Sequence, residues 1–482
     1  MPTVVLEDEK IADCSTVELE LEGDCLTWLY KVAPAFPVKG SKVRIIHEPR
    51  DFYSTLLEKC KTARSRITIA SLYLGTGQME AELVKGMKEA IESNGGNLQV
   101  NILLDYMRGS RGQNNSKEML MPLLRGEFGH CCRVFLYHTP RLRGFLKKLI
   151  PNRFNELVGL QHMKLYIFDN TFIISGANLS NDYFSNRQDR YFMIEDCEEL
   201  CDFYHSLVKK VSEFSFELQA DGETRFNDKI DIHPFKSSVE KFSKESSEII
   251  HDFFQNQIDR RFDLCKKEPT KADTWVFPLI QMAQLKVRHD SEITLRLFET
   301  APVGATLKLA TGYFNLTSEY RNALVNSCRA NCHVLTAHPR ANGFFGARGI
   351  AGGIPAAYTK IEKSFFEFCE KRGQSDRIKL WEFSRPGWTY HAKGLWYSMP
   401  GQQKPSFTLV GSPNFGYRSV ERDLETQIAV ATRNTELQES LQKECDRLFS
   451  RALPVTKRTF IEKERIPPAW VRVAVFFFRY YF

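Results

Sequence analysis

Long apolar runs are missing from this sequence. No stretch approaches the ~20 apolar residues that span a bilayer, so nothing in it reads as a membrane-crossing helix. Its 12 cysteines include no CxxC pair and no Cys/His set at zinc spacing, which argues against a metal centre. Cys197 and Cys201, like Cys328 and Cys332, stand four apart, a spacing that suits neighbours on a helix. Scattered thiols in so long a chain argue for a reducing compartment over a disulfide framework. There is also no long basic arm. The 66 Lys and Arg are spread along the chain, and the net charge of +7 is a modest bias toward an anionic partner such as nucleic acid, anionic lipid or a phosphorylated metabolite. The acidic start, "MPTVVLEDEKIADCSTVELELEG", reads as neither a secretory signal nor an Arg-rich transit peptide.

What is present is a duplication. At 482 residues the chain exceeds what one core serves, and two lobes are expected. In the first half, "VRIIH", "RITIASLYLGTG" and "LQVNILLDY" read as strands, with helical spacing in "PRDFYSTLLEKCKTA" and "QMEAELVKGMKEAIES" between them. The second half runs through the same order with "SEITLRLFETA", "TLKLATGYFNLT", "SEYRNALVNSC" and "NCHVLTAHPRANGFFG". Tyr73 and Tyr313, 240 residues apart, mark the offset. Alternating strands and helices predict an α/β fold with two pseudo-symmetric lobes, each a mostly parallel sheet flanked by helices, and a site between them. The expected organisation is an N-terminal extension (1–24), a first lobe (25–215), a charged linker and surface helix (216–270), a second lobe (271–450) and a basic, aromatic tail (451–482).

The repeat carries chemistry. "GLQHMKLYIFDN" sets His162 and Lys164 one residue apart, and "WTYHAKGLWYS" does the same with His391 and Lys393. Asn178 precedes Asp189 by eleven residues, as Asn414 precedes Glu425. On a strand, residues i and i+2 share a face, which points His162, Lys164 and Tyr166 one way and Met163, Leu165 and Ile167 into the core. Two such faces brought together suit a phosphate diester. The lysines, with donors from Asn178, Asn414 and Ser412, hold the non-bridging oxygens; one histidine attacks phosphorus and the other protonates the leaving oxygen. Asp189 and Glu425 are each placed to hold an imidazole in the needed tautomer. Neutralisation by lysine removes the need for a metal or other cofactor.

"HMKLYIFD" and "HAKGLWYS", with "GAN" and "GSPN" behind them, resemble the two HxK motifs of the phospholipase D superfamily. Within it, "GLQHMKLYIFDNTFIISGANLSNDYFSNRQDRY" and "YHAKGLW…LVGSPNFGYRSVERDLE" are similar to the eukaryotic-type phosphatidylglycerophosphate synthases, over roughly residues 25–450. The resemblance implies duplicated α/β lobes and a phosphohistidine. It implies transfer of a phosphatidyl group from CDP-diacylglycerol to glycerol 3-phosphate, toward phosphatidylglycerol and cardiolipin, by a peripheral protein of the mitochondrial inner membrane. It assigns His162, Lys164 and Asp169 to the first catalytic set and His391 and Lys393 to the second, with His162 favoured as nucleophile. Two departures stand out: Ser398 replaces the Asp expected after the second motif, and about seven extra residues near "MPGQQKP" precede GSPN.

Three further stretches bear on function. "RLRGFLKKLIPNRFNE" (141–156), with Phe145, Leu146, Leu149 and Ile150 among basic residues, suits an anionic membrane surface, whereas the tail "IPPAWVRVAVFFFRYYF" suits a buried strand and, beside Arg472 and Arg479, an interface equally. "ASLYLGTG", with Gly75 and Gly77, lacks the GK[ST] of a P-loop and reads as a strand-to-helix turn at the cleft rim. Tyr73 and Tyr313 are candidates to line a lipid or nucleotide channel, and equally to pack in the core. No nucleic-acid partner is expected. The alternatives are another reaction on the same scaffold (phospholipid hydrolysis, or phosphatidylserine or cardiolipin synthesis), a nuclease-like member, and a non-catalytic lipid-binding one.

Overall fold

A computed structural model of the chain describes residues 26–144, 158–267 and 272–478. The acidic extension and residues 145–156 of the basic amphipathic segment, with Phe145, Leu146, Leu149 and Ile150, therefore lie outside the described residues.

Two nine-stranded sheets carry the duplication. The first runs Thr224–Phe226, Phe216–Leu218, Cys132–Tyr137, Gln99–Asp105, Arg66–Ala70, Leu165–Phe168, Thr171–Ser175, Tyr191–Ile194 and Val43–Ile46. The second runs Ala452–Pro454, Ile378–Phe383, Asn331–Ala337, Thr306–Ala310, Gly394–Ser398, Phe407–Gly411, Leu424–Thr432, Thr274–Met282 and Phe36–Val38. The strands from Cys132 to Val43 in one and from Ile378 to Thr274 in the other follow the same order, and the edge strands are what differ.

The sheets are mixed, which corrects the expectation of mostly parallel strands. Only Arg66–Ala70, Gln99–Asp105 and Cys132–Tyr137, and their counterparts Thr306–Ala310, Asn331–Ala337 and Ile378–Phe383, pair in parallel. A parallel pair needs a crossover long enough for a helix, and only these strands have one, as in Gln78–Ser93 between the first two. After each HxK motif the chain returns through hairpins, and every further pairing within these two sheets is antiparallel, while Arg187–Gln188 and Thr389–Tyr390 form a separate two-stranded parallel pair between the lobes.

The domain limits also differ from a simple division of the chain. Leu26, Leu29 and Tyr30 pack into the second lobe's core, and Phe36–Val38 is an edge strand of its sheet. Phe216–Leu218 and Thr224–Phe226 extend the first sheet. The helix Val239–Lys267 buries Phe242, Ile250 and Phe254 in a core that also holds Ile174 and Phe192 from one lobe and Ile280, Val410 and Ile428 from the other. The two sheets thus share one apolar core, and the site sits at its edge. In the tail, Ala452–Pro454 pairs with Ile378–Phe383 and Arg465 pairs with buried Glu382. Cys197 and Cys201 do neighbour each other at the start of the helix Glu198–Glu213, with sulfurs 3.8 Å apart. Cys328 instead faces Cys332 from a turn onto a strand, at 3.7 Å. Cys60, Cys131, Cys132, Cys369 and Cys445, like these two pairs, are buried free thiols.

Candidate active site

Each HxK pair lies in extended residues that lead into a strand, Leu165–Phe168 in one lobe and Gly394–Ser398 in the other, rather than within the strand itself. The alternation persists: Met163, Leu165 and Ile167 face the shared core. Tyr166, however, packs under the first lobe's helices and donates its hydroxyl to the Ala177 carbonyl at 2.9 Å, so it belongs to a core and not to the site.

These extended residues cross from one lobe to the other. The His162 amide donates to the Leu424 carbonyl at 2.8 Å, and the His391 amide donates to the Gln188 carbonyl at 2.8 Å. Leu424 and Gln188 each precede the acid of the opposite repeat. The result is a crossed orientation. His162 Nδ1 lies 2.9 Å from both carboxylate oxygens of Glu425, and His391 Nδ1 lies 2.6 Å from Asp189 Oδ2. A hydrogen bond at Nδ1 fixes the tautomer and leaves Nε2 for a reacting atom.

The lysines are fully buried. Lys164 Nζ donates to the His162 carbonyl at 2.7 Å and Lys393 Nζ to the His391 carbonyl at 2.8 Å. Lys393 Nζ is also 3.7 Å from Asp189 and within 2.8 Å of His391 Nδ1. Burial of two ammonium groups without full pairing is costly, and it lowers Lys164 to about 7 and Lys393 to about 8. Burial, and next the adjacent lysine, push both imidazoles well below their ordinary range, so both rest neutral. Burial lifts Glu425 above the usual carboxylate range. Burial works in the same direction on Asp189, but Lys393 and His391 hold it below that range.

Gly176 has a steric reason here. A Cβ at that position would lie 2.7 Å from Asp189 Oδ1 and 2.8 Å from Lys393 Nζ. Asn178, two residues after Gly176, is buried, and its Oδ1 has no protein partner among the described residues. Asn414 Oδ1 accepts from Thr311 at 3.4 Å. Ser412 Oγ donates to the Thr426 carbonyl at 3.1 Å and accepts from the Thr426 amide, bracing the strand end that carries Glu425.

Asp169 stands apart. It occupies a left-handed turn position (φ 51°) between Leu165–Phe168 and Thr171–Ser175, and its carboxylate accepts from the amides of Arg64, Ser65 and Arg66. It tethers a hairpin. The residues around "MPGQQKP" lengthen the equivalent hairpin between Gly394–Ser398 and Phe407–Gly411. The Asp169/Ser398 difference therefore concerns two turns, not the reacting groups.

Gly75 and Gly77 lie in a strand-to-helix turn. The Gly75 amide donates to the Leu179 carbonyl at 2.7 Å, and Gly77 caps the helix Gln78–Ser93. Tyr73 shares a hydrogen bond with Ser180 at 3.0 Å and lies under Arg108. Tyr313 reaches the site, its ring 5.7 Å from the His391 imidazole.

Several residues at the site escaped the sequence reading. Tyr183 places its hydroxyl 3.4 Å from His391 Nε2, and Arg187 stacks over the Tyr183 ring at 4.6 Å. Arg187 Nε donates to Thr389, two residues before His391; Asp423 accepts from the amide of Leu160, two residues before His162. Arg187 and Asp423 occupy equivalent positions two residues before the acids, and each has an opposite charge five residues upstream, Asp182 at 3.8 Å and Arg418 at 2.8 Å. The spacing was visible in the sequence as a charge-reversed pair. Arg190, fully buried, inserts from the first lobe into the second, with Nε and Nη2 on Glu444 at 2.9 and 2.8 Å and its guanidinium 3.9 Å from the Trp396 ring.

One atom each from His162, Asp423 and Glu425 lies within 4.8 Å of the others, a donor set that could hold a metal. Glu425 is already bonded to His162, and Asp423 to Arg418 and the Leu160 amide. A cation there would compete with Lys164 and Arg418, a donor chemistry that suits anion binding better than metal binding.

No protein-family model matches the chain. Among curated proteins it is 44% identical over 469 residues to the Homo sapiens protein named CDP-diacylglycerol–glycerol-3-phosphate 3-phosphatidyltransferase, mitochondrial, covering 92% of this chain and 84% of that one. The Saccharomyces cerevisiae protein of the same activity name is 34% identical over 91% of this chain and 88% of its own length. Among solved structures, a phosphatidylserine synthase from Haemophilus influenzae superposes with a TM-score of 0.68 at 18% identity, covering 92% of this chain and 94% of that one, which shows a common fold.

Proposed function

The chain belongs to the CDP-diacylglycerol–glycerol-3-phosphate 3-phosphatidyltransferase family, and from that premise we propose a two-step transfer at the crossed histidines. The reaction moves the phosphatidyl group of CDP-diacylglycerol to glycerol 3-phosphate, releasing CMP and giving phosphatidylglycerophosphate.

In the first step Nε2 of His162 attacks the phosphorus that bears the diacylglycerol. The N–P bond forms, the P–O bond to the CMP phosphate breaks, and CMP leaves. Lys164, Lys393, Asn178 and Asn414 take the charge that builds on the non-bridging oxygens, where fixed donors in a dry site act most strongly. A phosphate monoester has a second pKa of about 6, so CMP departs with little proton assistance. Neutral His391 suits the second step. It removes the proton from the glycerol 3-phosphate hydroxyl as that oxygen bonds to phosphorus and the N–P bond breaks, and the histidine of the first step is restored. Glycerol 3-phosphate brings a second phosphate that does not react, and Arg187, beside Tyr183 and His391, is placed to receive it.

The observation that supports this division is the unequal surroundings of the two imidazoles. Among the described residues the His162 imidazole is bonded only through Nδ1, to Glu425, whereas the His391 imidazole also meets the Tyr183 hydroxyl at Nε2. We place the protein on the mitochondrial inner membrane, in line with the mammalian relatives' mitochondrial names and with its lipid substrate. Among the described residues no helix is long and apolar enough to cross a membrane, and attachment would be peripheral. Rapid mixing with CDP-diacylglycerol alone tests the roles. His391→Ala should release CMP in a burst of about one equivalent without turnover, and His162→Ala should release none. The opposite pattern would exchange the two histidines.

A further inference from the structure

The His391 side of the site leads to an unusual surface. Tyr313, beside His391, stacks on Tyr358 at 5.5 Å and lies 6.0 Å from Phe344. A Cβ at Gly343 would lie 3.1 Å from the Arg187 guanidinium and 3.2 Å from the Tyr313 hydroxyl, so the chain at 342–344 forms the rim. Immediately beyond it, Phe345 is 60% exposed and Ile350 67%. Gly353 then abuts the indole of Trp470 closely enough to leave no room for a side chain.

Trp470 belongs to the helix Ala469–Phe478, which packs on the helix Ile354–Lys371. Val471 and Val475 face the second lobe's core, yet Trp470 and Val473 on its other side remain 48% and 58% exposed. A surface helix normally turns polar residues outward. The only charges in these two stretches are basic: Arg340, Arg348 and Arg472 are exposed, and the sequence has no Asp or Glu in 338–361 or in 466–482. Arg465 and Glu382, paired while buried, fix the approach to this helix.

We propose that the loop 342–353 and the outer face of the helix Ala469–Phe478 form one docking surface for an anionic bilayer, set at the rim of the His391 side of the cleft. Large apolar side chains on adjoining segments, bordered by arginine and free of carboxylates, match the chemistry of the headgroup boundary. This assignment rests on the reading that the donor is a lipid taken from a membrane. With the surface seated, the acyl chains of the donor stay in the bilayer and only its headgroup travels past Tyr313 to the histidines.

The test uses the full chain, with vesicles of phosphatidylcholine alone or mixed with phosphatidylserine. The wild type should sediment with the mixed vesicles, and less so as salt rises. Phe345→Ser/Ile350→Ser and Trp470→Ser/Val473→Ser should each lower the partition coefficient roughly tenfold or more, while turnover of CDP-diacylglycerol in detergent micelles is unchanged. Variants that bind vesicles as the wild type does overturn the surface assignment. So does loss of binding in Lys147→Glu/Lys148→Glu with these pairs unaffected, or a change in the lipid-free protein's mass by sedimentation equilibrium, which would mark a protein interface. A wild type that binds no vesicle yet turns over micellar donor overturns the membrane reading itself.

Discussion

His162 of the first lobe is oriented by Glu425 of the second, its Nδ1 2.9 Å from both carboxylate oxygens, while Asp189 of the first lobe orients His391 of the second. Neither half of the duplication contains a complete histidine–carboxylate pair. The proposed catalytic unit is therefore the pair of lobes, and whatever holds the lobes together also holds the tautomers.

Exchanging one acid at a time separates the two steps. Glu425→Gln should slow the CMP burst by about a hundredfold or more, because the nucleophile loses its orienting acceptor. Asp189→Asn should keep most of the burst and slow only the glycerol 3-phosphate step. Equal loss of burst rate in both variants would sink the crossed assignment.

The Arg190–Glu444 pair should be costly to break. Removing one partner leaves the other charge buried, so Arg190→Ala should destabilise the protein by about 3–5 kcal/mol. Arg190→Met combined with Glu444→Met should recover part of that loss in thermal unfolding. A surface-like loss, below about 1 kcal/mol, would show that the lobes are held together elsewhere.

The lysines make anion binding pH-dependent in a fixed direction. In the free protein Lys164 titrates at about 7 and Lys393 at about 8. An anion favours the charged ammonium and raises both values, so binding takes up protons above pH 7 and weakens as pH rises. Below pH 7 both groups are already charged and that dependence fades. With glycerophosphocholine, a diester of constant charge, affinity should fall by up to about tenfold per pH unit for each lysine that has lost its proton. Calorimetry in two buffers of different ionisation enthalpy reads the proton uptake directly, and uptake equal at pH 6 and pH 8 would contradict it.

Arg187 should act on the acceptor and not on the donor. Arg187→Ala should raise the KM for glycerol 3-phosphate roughly 10- to 100-fold, the loss expected for a charged hydrogen bond, with the CMP burst intact. Discrimination against glycerol should fall in step. A variant that loses the burst as well would place Arg187 on the reacting phosphate.

Much of this is legible in the sequence. The two HxK segments, the eleven-residue step from Asn to acid, and the repeated strand–helix order come from side-chain types at fixed spacings, and a duplicated spacing survives folding as a pseudo-symmetric position. Asp169 was misleading for the same reason: adjacency in sequence placed it with His162 and Lys164, but the left-handed turn after Phe168 directs it to the amides of residues 64–66.

What the chain alone determined is which groups would meet: two imidazoles, two ammonium groups and two carboxylates, because their pattern repeats. Only the tertiary structure decided which carboxylate serves which histidine. Local periodicity records the face of a strand, whereas the exchange depends on the His162 and His391 amides pairing across the interface with Leu424 and Gln188. Arg190 and Arg187 were hidden likewise, since their partners Glu444 and Thr389 lie 254 and 202 residues away. Burial, which no spacing states, then brought the lysines to about 7 and 8 and left both histidines neutral.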